Sequence, residues 1–382
     1  MRVLWICGLP NEVRLNGWRQ CLSEQPTPAW SWIMGHLPPE GVELHIMCPV
    51  VGLIAPRVDF EYAGVHWHCF RRKRFVHIIS YIRFMIVVRM FVRKLRPAVV
   101  HGWGGETGFG YFATCCTRRA VVSVQGLLLY FKDLSGEFAR RMKQLYGRYL
   151  VAREKMSYRR AFARTTESDT SARALKKYYG ETSVVIPHPL RSEFYQEARE
   201  ELRSATPTFI FVGTLYARKG PLDLIKAFSL VRNKDARLII IGDGGERQRV
   251  VDMIAEGNLA DRVELKLSCT AEQIVNLMQR AHVFVLPSYG DTGPTALKEA
   301  LACGLFPICY ANSGPYEYIS RYCGYLCRTG NVQELGMLMD KAISNLETCQ
   351  REAGLSALKI KGDLSKSAIW GKLRKLYEEV VK

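Results

Sequence analysis

Two carboxylates, Asp291 and Glu299, bracket the segment Gly290-Asp291-Thr292-Gly293-Pro294-Thr295-Ala296-Leu297-Lys298-Glu299, which follows an apolar run at 283–287. Pro294 suits the opening of a helix and Gly304 its close. Asp291 then stands before the first turn, and Glu299 just over one turn inside. From there Glu299 can accept two hydrogen bonds from a vicinal diol such as a ribose, the amides of Pro294 and Thr295 can hold an anion, and Asp291 can reach whatever is attached beyond it. The plainer alternative has Asp291 capping the helix and Glu299 exposed.

A second cluster lies upstream, where an apolar run at 209–213 leads into Thr214-Leu215-Tyr216-Ala217-Arg218-Lys219-Gly220-Pro221. Pro221 is well placed to start a helix over 222–231. A strand, a turn bearing adjacent cations and a helix N-terminus together make a phosphate site, because free N–H groups and the helix dipole add to the Arg218 and Lys219 charges. Solvated surface cations are the competing reading. A third turn, Gly242-Asp243-Gly244-Gly245, closes a run at 237–242, and its glycines let backbone approach a ligand. Arg247 breaks the Gly-x-Gly-x-x-Gly spacing there, and Gly8-Leu9-Pro10 after the first run is no dinucleotide fingerprint either, which argues against an oxidoreductase.

The elements that must position these loops follow from pattern. Apolar runs at 3–7, 98–101, 120–125, 209–213, 237–242, 283–287 and 305–310 alternate with stretches of helical periodicity. Runs apolar throughout suit strands covered on both faces, so two doubly wound α/β domains are expected. The boundary falls where prolines and a mixed-charge stretch, 187–201, precede a fresh strand. The 382 residues, 48% hydrophobic and 24% charged, are ordinary for a folded protein of two domains.

Charge is the outlier. The chain carries a formal +18, of which the first 190 residues hold 28 basic and 13 acidic side chains (+15) and the remainder +3. The first half is therefore expected to meet something anionic. Residues 75–92 are mostly apolar but contain His77, Arg83 and Arg89, which are costly at mid-bilayer, so no membrane crossing is expected. Arg71-Arg72-Lys73-Arg74 leads in, and no acid occurs through 96. A basic amphipathic helix over about 71–96, with Arg72, Arg74, Arg83 and Arg89 toward lipid, suits an anionic membrane surface. The alternatives are a core helix with a solvated basic face, or nucleic acid, for which no base-reading motif is found. Twelve cysteines, mostly in apolar runs, indicate a reducing cytosol. Cys115-Cys116 and Cys323 with Cys327 lack a partner pair at zinc spacing, so buried thiols are expected and no metal site. The first ten residues read as a strand rather than a signal peptide.

At these residues the chain resembles the retaining GT-B nucleotide-sugar glycosyltransferases of family 4. An acid, seven residues and Glu, then Ala-x-Ala-x-Gly, is met by Asp291, Glu299 and Ala300-Leu301-Ala302-Cys303-Gly304; Gly213 through Lys219-Gly220 meets the phosphate loop, and Gly242-Asp243-Gly244 the Gly-x-Gly turn. Ile186-Pro187 with Phe194 resembles the interdomain element, and Ser367 through Trp370 with Tyr377 the closing helix. Three positions depart: Asp291 replaces the usual Glu, Thr214 the common Arg, and Gln125 the common His. His101-Gly102-Trp103-Gly104-Gly105-Glu106 and Ser123-Val124-Gln125-Gly126 are similar to a polysaccharide-assembly subset.

The resemblance implies two Rossmann-like domains facing across a cleft: 1–190 for the acceptor, carrying the basic helix, 200–365 for the donor, and a helix at 366–382 returning to the first. It implies retaining transfer of a sugar from a UDP- or GDP-sugar to a hydroxyl of a glycan or lipid-linked glycan, in cell-surface polysaccharide assembly on the cytoplasmic leaflet. Asp291, Lys219 and Glu299 would be catalytic. The donor would meet Gly17, Gly213, Arg218, Lys219, Gly242, Gly293, Pro294, Thr295 and Glu299; the acceptor would meet Trp103, Glu106, Gln125 and Gly126. No cofactor and no metal are expected, since Asp-x-Asp is absent, and no nucleic acid. The competing expectations are a GT-B epimerase or hydrolase, or an inactive membrane-bound nucleotide-sugar-binding subunit.

Overall fold

The computed structural model describes residues 1–9, 38, 40–51, 53–62, 64–72, 77–130, 145–197 and 203–382. Gly17 and Arg74 lie outside them, as does the side chain of Arg72. The chain forms two units, Met1–Pro189 with Lys366–Lys382, and Leu190–Ser365.

In the first unit the described strands are β1 (Arg2–Ile6), β2 (Glu43–Val51), β3 (Arg57–Tyr62), β4 (Val65–Arg72), β5 (Val99–Trp103), β6 (Ala120–Val124), β7 (Ala163–Thr166) and β8 (Val184–Val185). They form one sheet in the order β3-β4-β2-β1-β5-β6-β7-β8. All its pairings are parallel except β3 with β4. Helices α1 (His77–Leu95), α2 (Phe109–Cys116), α3 (Leu145–Arg160) and α4 (Asp169–Tyr179) precede the boundary. Alternate residues of one strand feed opposite cores. Val3 and Trp5 pack with the last helix, Lys366–Val381, through Ile369, Trp370 and Tyr377. Leu4 and Ile6 pack with Val88 and Phe91 of α1 and Phe112 of α2. That last helix is tied in by hydrogen bonds as well. The Tyr377 hydroxyl accepts from Trp5 Nε1 at 2.9 Å and lies 2.7 Å from His101 Nδ1, while His101 Nε2 lies 2.7 Å from Ser123 Oγ.

The second unit has six described strands, β9 (Thr208–Val212), β10 (Arg237–Ile241), β11 (Val263–Lys266), β12 (Val283–Leu286), β13 (Phe306–Tyr310) and β14 (Tyr325–Cys327), all parallel and ordered β11-β10-β9-β12-β13-β14. Its helices are α5 (Pro221–Ser229), α6 (Arg247–Glu256), α7 (Ala271–Arg280), α8 (Thr295–Ala302), α9 (Ser313–Arg321), α10 (Val332–Ser344) and α11 (Leu346–Asp363). The final helix of the chain is thus α12. Strand order runs outward from β9 to β10 and β11, then restarts on the other side of β9 with β12. Ligands of open α/β sheets bind at the carboxyl ends of strands where the order switches. Here the loops after β9 and β12 meet at that point.

The continuous apolar runs expected from the sequence lie within two residues of β1, β5, β6, β9, β10, β12 and β13. The basic helix is shorter than expected. Arg71 and Arg72 continue β4 in register with Val50 and Val51 of β2, and the helix begins at His77. Backbone pairing that carries Val65 through Phe70 into the sheet extends over the two arginines and overrides the charge pattern.

Candidate active site

Loop geometry at the β9–β12 switch is fixed by glycines. Gly220, the N-cap of α5, has φ +67°, and a Cβ there would stand 2.0 Å from the Pro287 carbonyl oxygen. Gly242, at φ +152°, would drive a Cβ to 1.9 Å from the Gly213 oxygen. Only glycine lets the turn after β10 lie against the end of β9. Pro221 occupies the first turn of α5, where its missing N–H costs nothing.

The two loops are stitched together. Tyr289 N–H donates to the Arg218 carbonyl at 2.8 Å, and Ser288 Oγ to the same oxygen at 3.2 Å. Arg218 Nη1 donates to the Gly290 carbonyl. Lys219 Nζ lies 2.5 Å from Asp291 Oδ2, and Arg218 Nη1 3.3 Å from Asp291 Oδ1. Both cations therefore meet the Asp291 carboxylate, at a place where their side chains remain partly open to solvent. The expectation puts Asp291 beyond the phosphates and the cations on them; the structure joins the three into one charge cluster.

Pro294 is the N-cap of α8 rather than its first residue, and Gly304, at φ +72°, follows the C-cap Cys303. Proline has no N–H, so Pro294 cannot donate to an anion as expected; its carbonyl instead accepts from Leu297 and Lys298 at 3.1 and 3.2 Å. The amides left at this helix end are those of Thr295 and Ala296. Gly293 sits half-buried just before them.

Glu299 is buried, its side chain 4% exposed, which removes the exposed-surface alternative. Burial raises its carboxyl above the ordinary value, while Arg191 pulls it back. Arg191 Nε donates to Glu299 Oε1 at 2.7 Å, and its guanidinium lies 4.7 Å from the Phe194 ring centre. A buried ion pair of this kind holds a carboxylate ready to accept hydrogen bonds. Spacing alone does not single out Arg191, although it stands two residues after the Pro187-His188-Pro189 element.

Residues expected to meet an acceptor divide. Trp103 and Gln125 line one pocket of the first unit, together with Thr165, Glu167, Ile186 and His188. Gln125 Nε2 lies 3.2 Å from His188 Nε2, and His188 Nδ1 3.1 Å from Glu167 Oε2. This amide–imidazole–carboxylate row is a polar feature that sequence spacing does not reveal. Glu106 and Gly126 do not line that pocket. Arg153 Nη2 donates to the Glu106 carbonyl at 2.8 Å, and burial pushes the Glu106 carboxyl up to about 7. Nearby Glu154 is pushed by burial to about 8, with its carboxylate held by Tyr158 and Tyr179 hydroxyls. His101, from the same motif, is fully buried and lowered to about 3, a neutral framework imidazole.

On α1, Ile82, Ile86 and Met90 are 57%, 53% and 65% exposed, and Arg83, Arg89, Arg93 and Lys94 are exposed beside them. Among the described residues no helix is long and apolar enough to cross a membrane.

The family model for glycosyl transferases group 1 matches residues 194–353. A GDP-mannose:cellobiosyl-diphosphopolyprenol alpha-mannosyltransferase of Xanthomonas campestris is 32% identical over 224 residues, 55% of each chain. The first curated relatives are matched over only 28% to 55% of their own lengths. Among solved structures, sucrose-phosphate synthase from Thermosynechococcus elongatus superposes with a TM-score of 0.77 at 16% identity, covering 99% of this chain and 98% of that one. HepE from Anabaena, in complex with UDP and glucose, gives 0.73 at 15%, covering 99% and 100%. The second unit of this chain thus carries a glycosyltransferase group 1 domain, within a two-unit fold of the GT-B glycosyltransferase type.

Proposed function

We propose that the chain transfers a sugar, with retention, from a UDP- or GDP-sugar to a hydroxyl of a glycan or lipid-linked glycan. The observation that carries this is the meeting of Arg218, Lys219 and Asp291 beside the α8 N-terminus, with Glu299 of the same helix paired to Arg191. The ribose diol goes to Glu299. The diphosphate takes Lys219, Arg218 and the amides of Thr295 and Ala296, displacing part of the cations' contact with Asp291, which turns to the sugar. Breaking the anomeric C–O bond leaves a nucleoside diphosphate, so cations and helix end stabilise charge that grows in the transition state. This supplies the electrostatics without a metal. As the bond from the anomeric carbon to the phosphate breaks, the acceptor's hydroxyl oxygen bonds that carbon on the same face and its proton passes to the departing phosphate oxygen. A UDP complex of the HepE structure and a GDP-mannose donor in the Xanthomonas relative support a nucleotide-sugar donor of either base.

The acceptor pocket is that of Trp103, Gln125 and His188, with the polarity to hold a sugar hydroxyl. The apolar stripe of Ile82, Ile86 and Met90, flanked by arginines, supports docking on the anionic cytoplasmic leaflet, where a lipid-linked acceptor of cell-surface polysaccharide assembly would be found. The deciding experiment is a thermal-shift panel of nucleotides. A ligand bound only to the folded state adds about 2.7 kcal/mol at 100 times Kd. UDP or GDP is expected to stabilise the chain, and Glu299→Ala, with cooperative unfolding retained, to lose both that shift and turnover. A cooperative transition that no nucleotide moves would overturn the donor assignment.

A further inference from the structure

The first residues of β2 and β4 carry a cluster that sugar transfer does not use. Glu43 and His45 share one face of β2, His66 and His68 the same face of β4, and the register sets His45 opposite His66. The His45 and His66 rings stack with centres 4.7 Å apart. Three contacts run in a row: Glu43 Oε1 to His45 Nε2 at 2.9 Å, His45 Nδ1 to His68 Nε2 at 3.0 Å, and His68 Nδ1 to Asp59 Oδ1 at 2.9 Å. His45 and His68 are buried.

Two neutral imidazoles bring two N–H groups to these three contacts, and carboxylates bring none. Arg57 Nε donates to Asp59 Oδ1 at 2.7 Å, and its Nη2 stands off from His68 Nδ1 at 3.4 Å; with the shorter 2.9 Å contact to Asp59 made, Asp59 takes the proton of His68 Nδ1. His68 Nε2 is then the acceptor for His45 Nδ1–H, which leaves His45 Nε2 facing Glu43 lone pair to lone pair. A proton or a metal ion must lie in that contact, and His66 stands beside it: one ligand atom from each of Glu43, His45 and His66 lies within 4.8 Å of the other two.

We propose that Glu43, His45 and His66 bind a divalent transition metal of the Zn²⁺ type, with solvent completing the coordination. Two imidazoles and a carboxylate are donors that suit Zn²⁺, which takes such ligands at about 2.0–2.2 Å. His68 and Asp59 fix the His45 tautomer, as a hydrogen-bonded carboxylate does behind metal-binding histidines. Arg2 Nε donates to Glu43 Oε2 at 3.0 Å, leaving Oε1 for the metal. The cluster sits where β2 and β4 begin, whereas chemistry in such sheets gathers at strand carboxyl ends. The ion therefore pins the outer strands to the sheet and takes no part in transfer. Little in the sequence marks the cluster, because its ligands alternate with core residues on two separate strands.

The test is calorimetric titration of ZnCl₂ into the untagged full chain. One Zn²⁺ per chain is expected, with Kd raised at least tenfold by Glu43→Gln and by His66→Gln. Both positions are partly exposed, and circular dichroism checks that each variant folds; should Glu43→Gln fail to fold, His66→Gln decides alone. Cys115 and Cys116 are unchanged in both variants. No saturable binding by the parent chain, or an affinity that neither variant alters, overturns the proposal; the Glu43–His45 contact then holds a proton.

Discussion

In the second unit, Arg218, Lys219 and Asp291 come together at the switch in strand order, partly open to solvent, with Glu299 buried one helix turn deeper beside Arg191. In the first unit, His101 and Glu106 belong to an equally motif-like stretch, yet His101 is locked between Tyr377 and Ser123, and Glu106 is buried beside Arg153. The difference lies in what surrounds the residues. A strand, a glycine turn and a helix end bring their own N–H groups and dipole, so a side chain there joins a site already half built. A polar residue on a central strand, such as His101, or in the turn after it, such as Glu106, faces a core, and its hydrogen bonds are spent on holding neighbours.

This contrast is broken most sharply at Lys219. Lys219→Ala is expected to cut transfer at least a hundredfold, about 2.7 kcal/mol of transition-state stabilisation, while leaving the melting temperature almost unchanged. Nucleotide release measured beside a melting curve checks both, and a loss under threefold would place Lys219 with the framework residues.

The next largest effect is one of pH and belongs to the first unit. Burial raises Glu106 to about 7 and Glu154 to about 8, against 4.5 for an ordinary glutamate. Between those limits the folded chain keeps protons that the unfolded chain has released, so stability falls as pH rises from about 5 to 8. Holding one proton against a tenfold fall in its concentration corresponds to about 1.4 kcal/mol, so the loss amounts to a few kcal/mol. Urea unfolding at both ends of that range should show it, and Glu154→Gln should flatten it; a stability that rises toward pH 8 would refute the assignment.

Smaller again is Tyr377→Phe. Removing the hydroxyl shared by Trp5 and His101 should cost about 1–3 kcal/mol, because two buried polar groups lose a shared hydrogen-bond partner. The stabilisation by UDP or GDP should survive, because the residues proposed to hold the donor lie in the other unit. Loss of the nucleotide shift would erase the distinction between framework and site. The mildest change is Arg83→Ser with Arg89→Ser, expected to weaken sedimentation with anionic vesicles by about 1 kcal/mol per charge at low salt, without affecting neutral vesicles.

Much of the second unit was legible in sequence because β9, β10, β12 and β13 are apolar apart from Thr208 and Arg237 at their starts, and their loops carry glycine and proline at positions only they fill. The outer strands of the first unit were not: β2 and β4 interleave Glu43, His45, His66 and His68 with core residues, and β3 is a polar edge. Within the site, residues adjacent along a loop could be grouped by spacing. The Arg191–Glu299 pair could not, since the two residues are 108 positions apart and only the folded sheet joins them. Gln125, His188 and Glu167 are separated in the same way, and spacing alone lends Pro294 an amide that proline lacks.

The return of α12 to the first sheet also sets an order of assembly. Trp5 is made before the second unit, but its partners Trp370 and Tyr377 emerge after all of Leu190–Ser365. At translation speeds of about 5–20 residues per second, the first sheet waits roughly ten to thirty-five seconds with one core face open. The second unit, made without interruption, can close its core in the meantime. Of the two units, the one that starts earlier is therefore the one that finishes later, and it is the one a chaperone would have to shelter.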